Sequence, residues 1–337
     1  MKSEPVDFVM PWVDGGDPEW RRVMHAYRGD TYDEAEEQAR YRDWDNLKYW
    51  FRGVEKFAPW VRRVHFITMG HLPAWLNPEN PKLHIVRHED YIPEEYLPTF
   101  SANPIELNLH RIADLSERFV YFNDDTFILR PVSEDLYFRN GLPCDYFGYT
   151  QHYCPSEAGL QYMHILVNNA AYVNLHFNKR ACQKAHWRKF LSPKYGWKRN
   201  LRTLYYWGLK NFTGFSIPHM PTAYLKKTYE EVWEKAPGIL ERTSAHRFRT
   251  FEDVSHNFFR CWRLVKGEFY PFPMQGRHFS LSSNPQKNEE IARVIRSQQE
   301  PMICLNDVVA DFNFETEKQR MIAAFESILP EKSSFEK

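Results

Sequence analysis

Cysteine is scarce in this chain: 337 residues carry five, an odd number with no tight pairing pattern. That excludes a disulfide framework, argues against a cysteine zinc site and points to a reducing compartment. No window of about 18 apolar residues occurs, and the opening Met1-Lys2-Ser3-Glu4-Pro5 has no apolar signal core. The chain is therefore read as cytoplasmic, at most peripheral to a membrane. Net charge is absent too. Lys plus Arg and Asp plus Glu both number 44, so no global field argues for nucleic acid or membrane. Internal repeats and low-complexity linkers are missing, which leaves one compact unit over 1–337 with a helical second half. The last absence is local. No Asp or Glu stands between Glu157 and Glu230, while Lys179, Arg180, Lys184, Arg188, Lys189, Lys194, Lys198, Arg199, Arg202, Lys210, Lys226 and Lys227 fill the interval. Such a run is either a surface that meets anions or a solvated cationic face.

What is present is ordinary in bulk. Hydrophobic residues make up 43% and charged residues 26%, as in folded globular proteins. Aromatics reach 16%, and they suit sugar rings and nucleobases as well as a core. Along the chain, Val6 to Met10 reads as a buried strand running into the Gly- and Pro-rich segment Pro11 to Pro18. Thr31 to Arg42 is charged, a mobile loop or an exposed helix. Leu47, Trp50, Phe51, Val54 and Ala58 recur at helical spacing, and Pro59 ends that helix. Arg63–Thr68 and Leu83–Arg87 read as strands, Asn103–Glu117 as a helix and Phe119–Phe122 as a fourth strand. Alternating strands and helices indicate an α/β, Rossmann-like, mainly parallel sheet. After Pro131 the pattern weakens. Trp187–Phe212 is basic, aromatic and partly helical, and helices are expected at Tyr224–Trp233, Val254–Val265, Gln286–Gln299 and Thr316–Leu329.

The strongest chemical signal is Asn123-Asp124-Asp125 at the end of the fourth strand. Adjacent carboxylates there are costly unless solvated, capped or bound to a cation, and hard oxygen ligands suit Mg²⁺ or Mn²⁺ on a diphosphate. A turn or helix cap is the plain alternative. Asp14, after Trp12 and Val13, stands where the first strand ends and reaches a ligand or forms an Asx turn. Glu106 and His110 are i, i+4 neighbours on the second helix, pointing at the cleft or forming a surface pair. His219 is held between Pro218 and Pro221, a rigidity that suits a general base and equally a structural histidine. Arg249 clamps a phosphate bidentately or pairs with Glu252 and Asp253. Cys304-Leu305-Asn306-Asp307 repeats the metal-or-cap ambiguity. Together these are the parts phosphoryl transfer requires.

In this order the motifs resemble the Stealth family. Asp7–Gly15 matches its first block, and Arg42–Tyr137 its second, with Glu106, His110-Arg111-Ile112 and Phe122–Asp125. His219-Met220-Pro221 to Arg249–Asp253 matches the third, and Cys304–Asp307 with Phe335-Glu336 the fourth. The resemblance implies a glycosyltransferase-A-related core and transfer of hexose-1-phosphate from a nucleotide diphosphate sugar to a glycan hydroxyl. It makes Asp125 a metal ligand, with Asn306 or Asp307 assisting; Glu106, His219 and Arg249 active-site residues; and Asp14, with Trp12, Asn123 and Asp124, part of the donor site. On this reading 1–150 binds the nucleotide-sugar, 151–215 is the variable acceptor- or membrane-facing segment, and 216–337 completes the site. The partners expected are a nucleotide-sugar, UDP-linked in the first instance, and a growing polysaccharide or glycolipid, with no nucleic acid. Contact with the inner face of the cell membrane and homo-oligomer formation are both left open. The rival readings are a metal-dependent glycosyltransferase acting at C1 and a glycan-binding protein without catalysis.

Overall fold

The computed structural model describes residues 4–29, 43–154, 157–307 and 313–337. The charged stretch Thr31–Arg42 lies outside them. The strands, in chain order, are β1 (Val6–Pro11), β2 (Val64–Thr68), β3 (Leu83–Arg87), β4 (Arg118–Tyr121), β5 (Thr126–Ile128), β6 (Phe138–Arg139), β7 (Leu142–Asp145), β8 (Thr222–Leu225), β9 (Tyr270–Pro271), β10 (Arg277–Ser280) and β11 (Met302–Asn306).

Five strands form the main sheet in the order β3-β2-β1-β4-β8. The first four are mutually parallel, with Phe8 between Val64 and Val120, and β8 runs antiparallel to β4. The α/β class and the mainly parallel sheet are thus as expected. β1 is buried along Val6–Met10, as in a strand covered on both faces, and apolar there except for Asp7. Period-two alternation divides it. Phe8 and Met10 enter one core with Val120 and Phe122, while Val9 enters the other with Phe119 and Tyr121. Helices Leu47–Phe57, Pro285–Ser297 and Phe314–Ile328 cover the first face, and Leu160–His176, Lys226–Lys235 and Asn257–Val265 the second. Gly53 lets the first of these helices lie close on β5, because a Cβ there would meet the Ile128 carbonyl at 3.0 Å. Among the described residues, no helix is long and apolar enough to cross a membrane.

Three readings change. The helix expected over Asn103–Glu117 is only Ala102–Leu107 followed by one 3₁₀ turn, Leu109–Arg111. Asn108 causes this, for its amide donates back to the Pro104 carbonyl (2.9 Å) and to Ser244 Oγ (3.1 Å), offering the backbone an exit from the helix. Tyr224 belongs to β8, and the following helix starts at Lys226. The segment after Arg249 stays irregular until Asn257.

Asp7 locks the amino-terminal ends of β1, β2 and β4. Its fully buried carboxylate accepts from Arg62 (2.8 and 2.6 Å), His65 Nε2 (3.0 Å) and the Ser116 N–H (2.9 Å). Burial pushes that carboxyl up, but Arg62, His65 and Ser116 outweigh it and hold it far below the usual range. Its folded value lies below its unfolded one, so this stabilisation is complete above about pH 4 and disappears as the pH falls further. Asp7→Asn should cost about 3–5 kcal/mol, the usual penalty for breaking a buried pair. Denaturant melts at pH 7 and pH 3 check this: the gap between the two proteins should narrow at the lower pH.

Candidate active site

A cavity of about 1090 Å³ opens beyond the carboxyl ends of β1 and β4. These strands flank the point where the strand order reverses direction, 3-2-1 then 4, which is where open α/β sheets place ligands. Trp12 and Val13 enter it from β1, and Asn123, Asp124 and Asp125 from β4. Because β8 is antiparallel, the residues before it, His219 and Met220, arrive at the same edge. The second sheet, β10-β11-β5, completes this side of the cavity. Leu305 N–H donates to the Asp125 carbonyl (2.8 Å), and β10 sets His278 opposite Cys304. A smaller cavity of about 360 Å³, near Val54, Asn80 and Phe335, contains none of the candidate residues.

Asn123-Asp124-Asp125 makes the expected turn, with the Asn123 carbonyl accepting from Thr126 Oγ1 (2.6 Å), and lines the cavity as well. Burial raises the Asp125 carboxyl to about 6. Asp124 is also held high, first by the surrounding protein and then by Asp125, although its side chain is open to cavity solvent. Asp125 Oδ2 accepts from the Cys304 thiol at 3.2 Å and lies 3.6 Å from His219 Nε2, whereas Oδ1 is buried with no hydrogen-bond partner among the described residues. One ligand atom each from His219, His278 and Cys304 falls within a 4.8 Å cluster beside it. The orphaned Asp125 oxygen, the neighbouring Asp124 carboxylate and the His278 imidazole form a donor set that fits a divalent cation, with His219 left beside it. Burial holds the Cys304 thiol far above its usual range, before any influence of Asp125, so here it donates to Asp125 as a neutral group.

The other side of the cavity belongs to Glu106 and Arg249. Glu106 is buried and accepts from Tyr121 Oη at 2.6 Å. Burial raises its carboxyl to about 7, and Tyr121, Arg249 and the His256 N–H oppose that rise. Gln161 holds the Arg249 carbonyl (2.7 Å). Asp253 is engaged by Asn103 (2.9 Å), His246 (2.7 Å) and Thr250 (3.0 and 2.8 Å), which orders the loop carrying Arg249. Asn306 also lines the cavity.

Three expected residues stand elsewhere. Asp14 accepts from the Gly16 N–H (2.8 Å) as an Asx turn and does not line the cavity. Asp307 accepts from the Trp44 indole (3.1 Å), outside the cavity lining. His110 does not line the cavity with Glu106. The break at Asn108 turns it against Tyr229 and Trp233 (centroids 6.0 and 5.8 Å), where burial lowers it to about 3.

Several lining residues escaped the sequence reading. His278 arrives through strand pairing, and nothing in its exposed segment marks it. His256, lowered to about 3 chiefly by burial, bonds Tyr224 Oη (2.8 Å) and packs on Tyr121. Trp20, Met24 and Arg28 come from helix Pro18–Arg28. That helix did carry a signal, since Asp17 followed by Pro18 is an N-cap before a proline in the first turn, and Asp17 accepts from the Trp20 N–H at 2.7 Å. Trp20, Phe100 and Phe248 make an aromatic wall, with Phe100 and Phe248 stacked at 5.3 Å.

Comparison with known proteins finds relatives along nearly the whole chain. Two family models match, Stealth protein CR1, conserved region 1, over residues 4–32 and Stealth protein CR2, conserved region 2, over 40–144. The chain is 39% identical to a capsular polysaccharide phosphotransferase WcwK of Streptococcus pneumoniae, over 99% of this chain and 98% of that one. It is also 39% identical to a receptor polysaccharide phosphotransferase WefC of Streptococcus oralis, over 98% and 99%, and 34% identical to an exopolysaccharide phosphotransferase of Lactiplantibacillus plantarum, over 98% and 96%. Among solved structures, the galactosyltransferase LgtC in complex with donor and acceptor sugar analogs aligns over 94% of this chain and 95% of that one, with 11% identity and a TM-score of 0.38. With near-complete coverage by relatives at this level of identity, the chain belongs to the Stealth family.

Proposed function

We propose that the chain transfers hexose-1-phosphate from a nucleotide diphosphate sugar, UDP-linked in the first instance, to a hydroxyl of a growing surface polysaccharide. The observation that carries this reading is the meeting of Asp125, Glu106, His219 and Arg249 around one cavity with room for a donor and the end of an acceptor. The naming of the relatives as polysaccharide phosphotransferases supports it. Residues 1–150 would then bind the donor, 216–337 complete the site, and 151–215 face a polysaccharide or glycolipid at the inner side of the cell membrane.

In this scheme the acceptor oxygen forms a bond to the β-phosphorus, the P–O bond to the α-phosphate bridge breaks, and a nucleoside monophosphate leaves. His219 takes the hydroxyl proton, and its rigid seat beside Pro218 keeps that nitrogen aimed. Arg249 stabilises charge on the phosphoryl oxygens. Glu106 positions Arg249 and the donor. Asp125, with Asn306 and His278, would hold Mg²⁺ or Mn²⁺, which neutralises diphosphate charge when bound. Trp12 and the aromatic wall stack against the base or sugar. The C1–O bond is never broken, so the donor's anomeric configuration is kept.

The test is the nucleotide product. Incubation with UDP- or GDP-sugars and an acceptor should release UMP or GMP, whereas UDP or GDP would mean glycosyl transfer at C1 and end the proposal. The two histidines are separable. His278→Ala should weaken Mn²⁺ binding, read by calorimetry, at least tenfold (of the order of 1.4 kcal/mol). His219→Ala should leave Mn²⁺ affinity within a fewfold and abolish most turnover. If His219→Ala is the variant that loses the metal, His219 is a ligand and the base lies elsewhere.

A further inference from the structure

We propose that helix Trp197–Tyr205 is a membrane-docking element that lies in the plane of an anionic bilayer surface. On a wheel of 100° per residue, Trp197, Leu201, Leu204 and Tyr205 share one arc of about 100°. All four are exposed, at 71%, 59%, 50% and 80%. The opposite side holds Arg199 and the fully buried Thr203. A surface helix normally turns its apolar arc inward; this one turns it outward. Two aromatics and two leucines on an otherwise polar helix are the composition that settles at the headgroup boundary.

Charge selects the occupant. Lys198 and Arg202 line one edge of the apolar arc, and Lys194 and Lys210 flank the helix along the chain, all exposed. None of these four makes an ion pair with a carboxylate among the described residues, and the sequence from 158 to 229 contains no acidic residue. An apolar strip with cations along one edge and at both ends, none with a carboxylate partner among the described residues, is complementary to lipid phosphates, with acyl carbons beneath them. A glycan would satisfy the cations only if phosphate-rich, and it would leave Leu201 and Leu204 in water.

The helix is also tied to the catalytic cavity. Arg199 packs on the Tyr146 ring at 3.6 Å, and Arg202 donates to Ser216 Oγ at 3.3 Å. Ser216 Oγ and carbonyl are further held by Tyr146 Oη (3.4 Å) and Arg260 (3.0 Å). Ser216 precedes Ile217, Pro218 and His219 of the cavity wall. A helix docked on lipid would thus fix the height of the cavity above the bilayer.

The experiment is co-sedimentation of the full chain with vesicles of phosphatidylcholine alone or with a third phosphatidylglycerol, without donor or metal, so that it reads docking whatever the reaction proves to be. The mixed vesicles should bind the protein at least tenfold more tightly than neutral ones, and the double variant Leu201→Asp, Leu204→Asp should lose at least tenfold on them. Lys198→Ala with Arg202→Ala should reduce binding to anionic vesicles and flatten its salt dependence. Circular dichroism and an unchanged melting temperature establish that the variants fold. Absence of vesicle binding, or binding that the Asp variants do not weaken, overturns the proposal. So does a dimer in solution that the Asp variants dissociate, since the strip would then be covered by a second copy. Binding to a phosphate-bearing glycan in preference to vesicles overturns it as well.

Discussion

Asp125→Asn is expected to lower turnover at least 10³-fold while leaving the protein folded. The amide keeps the shape and one acceptor oxygen, so the contact from Cys304 survives. What disappears is the formal charge that a cation needs at a site where Oδ1 has no protein partner among the described residues. Metal stabilisation of a transferring phosphoryl group is worth several kcal/mol, and each 1.36 kcal/mol is about tenfold in rate. Stability should move the other way. In metal-free protein, burial raises Asp125 to about 6, above its unfolded value near 4. The native state then binds more protons, so ionising Asp125 destabilises the fold progressively from about pH 4 to pH 6. At pH 7 with chelator the variant should melt no lower than the parent, and the gain has a ceiling of about 3 kcal/mol. Added Mn²⁺ should raise the melting temperature of the parent and not of the variant. Equal turnover, or an equal shift with Mn²⁺, would remove Asp125 from the metal site.

The parts of this site that could be read from sequence are those that lie where a strand stops. Val6–Met10 and Phe119–Phe122 announce themselves as apolar runs, so Trp12 and Asn123–Asp125 follow as their carboxyl-terminal residues, and the parallel sheet brings them together. Helix Leu47–Phe57 was equally plain, because its buried face repeats at 3.6 residues. Contributions that depend on long-range pairing were hidden. His278 comes beside Cys304 and His219 only because β10 pairs with β11 and β11 with β5, and no local pattern encodes that sequence of pairings. Tyr224 and Leu225 of β8 read as the start of a helix because the strand precedes a real helix without a break. The i, i+4 argument for Glu106 and His110 failed at one residue, Asn108, whose side chain competes for the Pro104 carbonyl. Asp14 shows the reverse: position at a strand end suggested a ligand, and the turn it caps took the carboxylate instead.

Arg249 should prove nearly as sensitive as Asp125. Arg249→Ala is expected to reduce kcat by 10²–10³, the usual loss when one donor to a developing oxyanion is removed. Arg249→Lys should recover less than a tenth of it, since an ammonium lacks the planar fork that grips two phosphoryl oxygens. The division between kcat and KM decides the role: loss in kcat places the contact in the transition state, whereas a rise in KM alone makes it a ground-state clamp. A second consequence follows through Glu106. Arg249 is among the groups that restrain the burial-driven rise of that carboxyl, which still reaches about 7. Without the guanidinium, Glu106 must take up its proton at higher pH. If turnover needs Glu106 ionised, the acid limb of kcat/KM should move upward in Arg249→Ala and return in Arg249→Lys, where the charge is restored but the fork is not. A limb that stays still in both variants would separate the two residues and leave Glu106 with a purely structural bond to Tyr121.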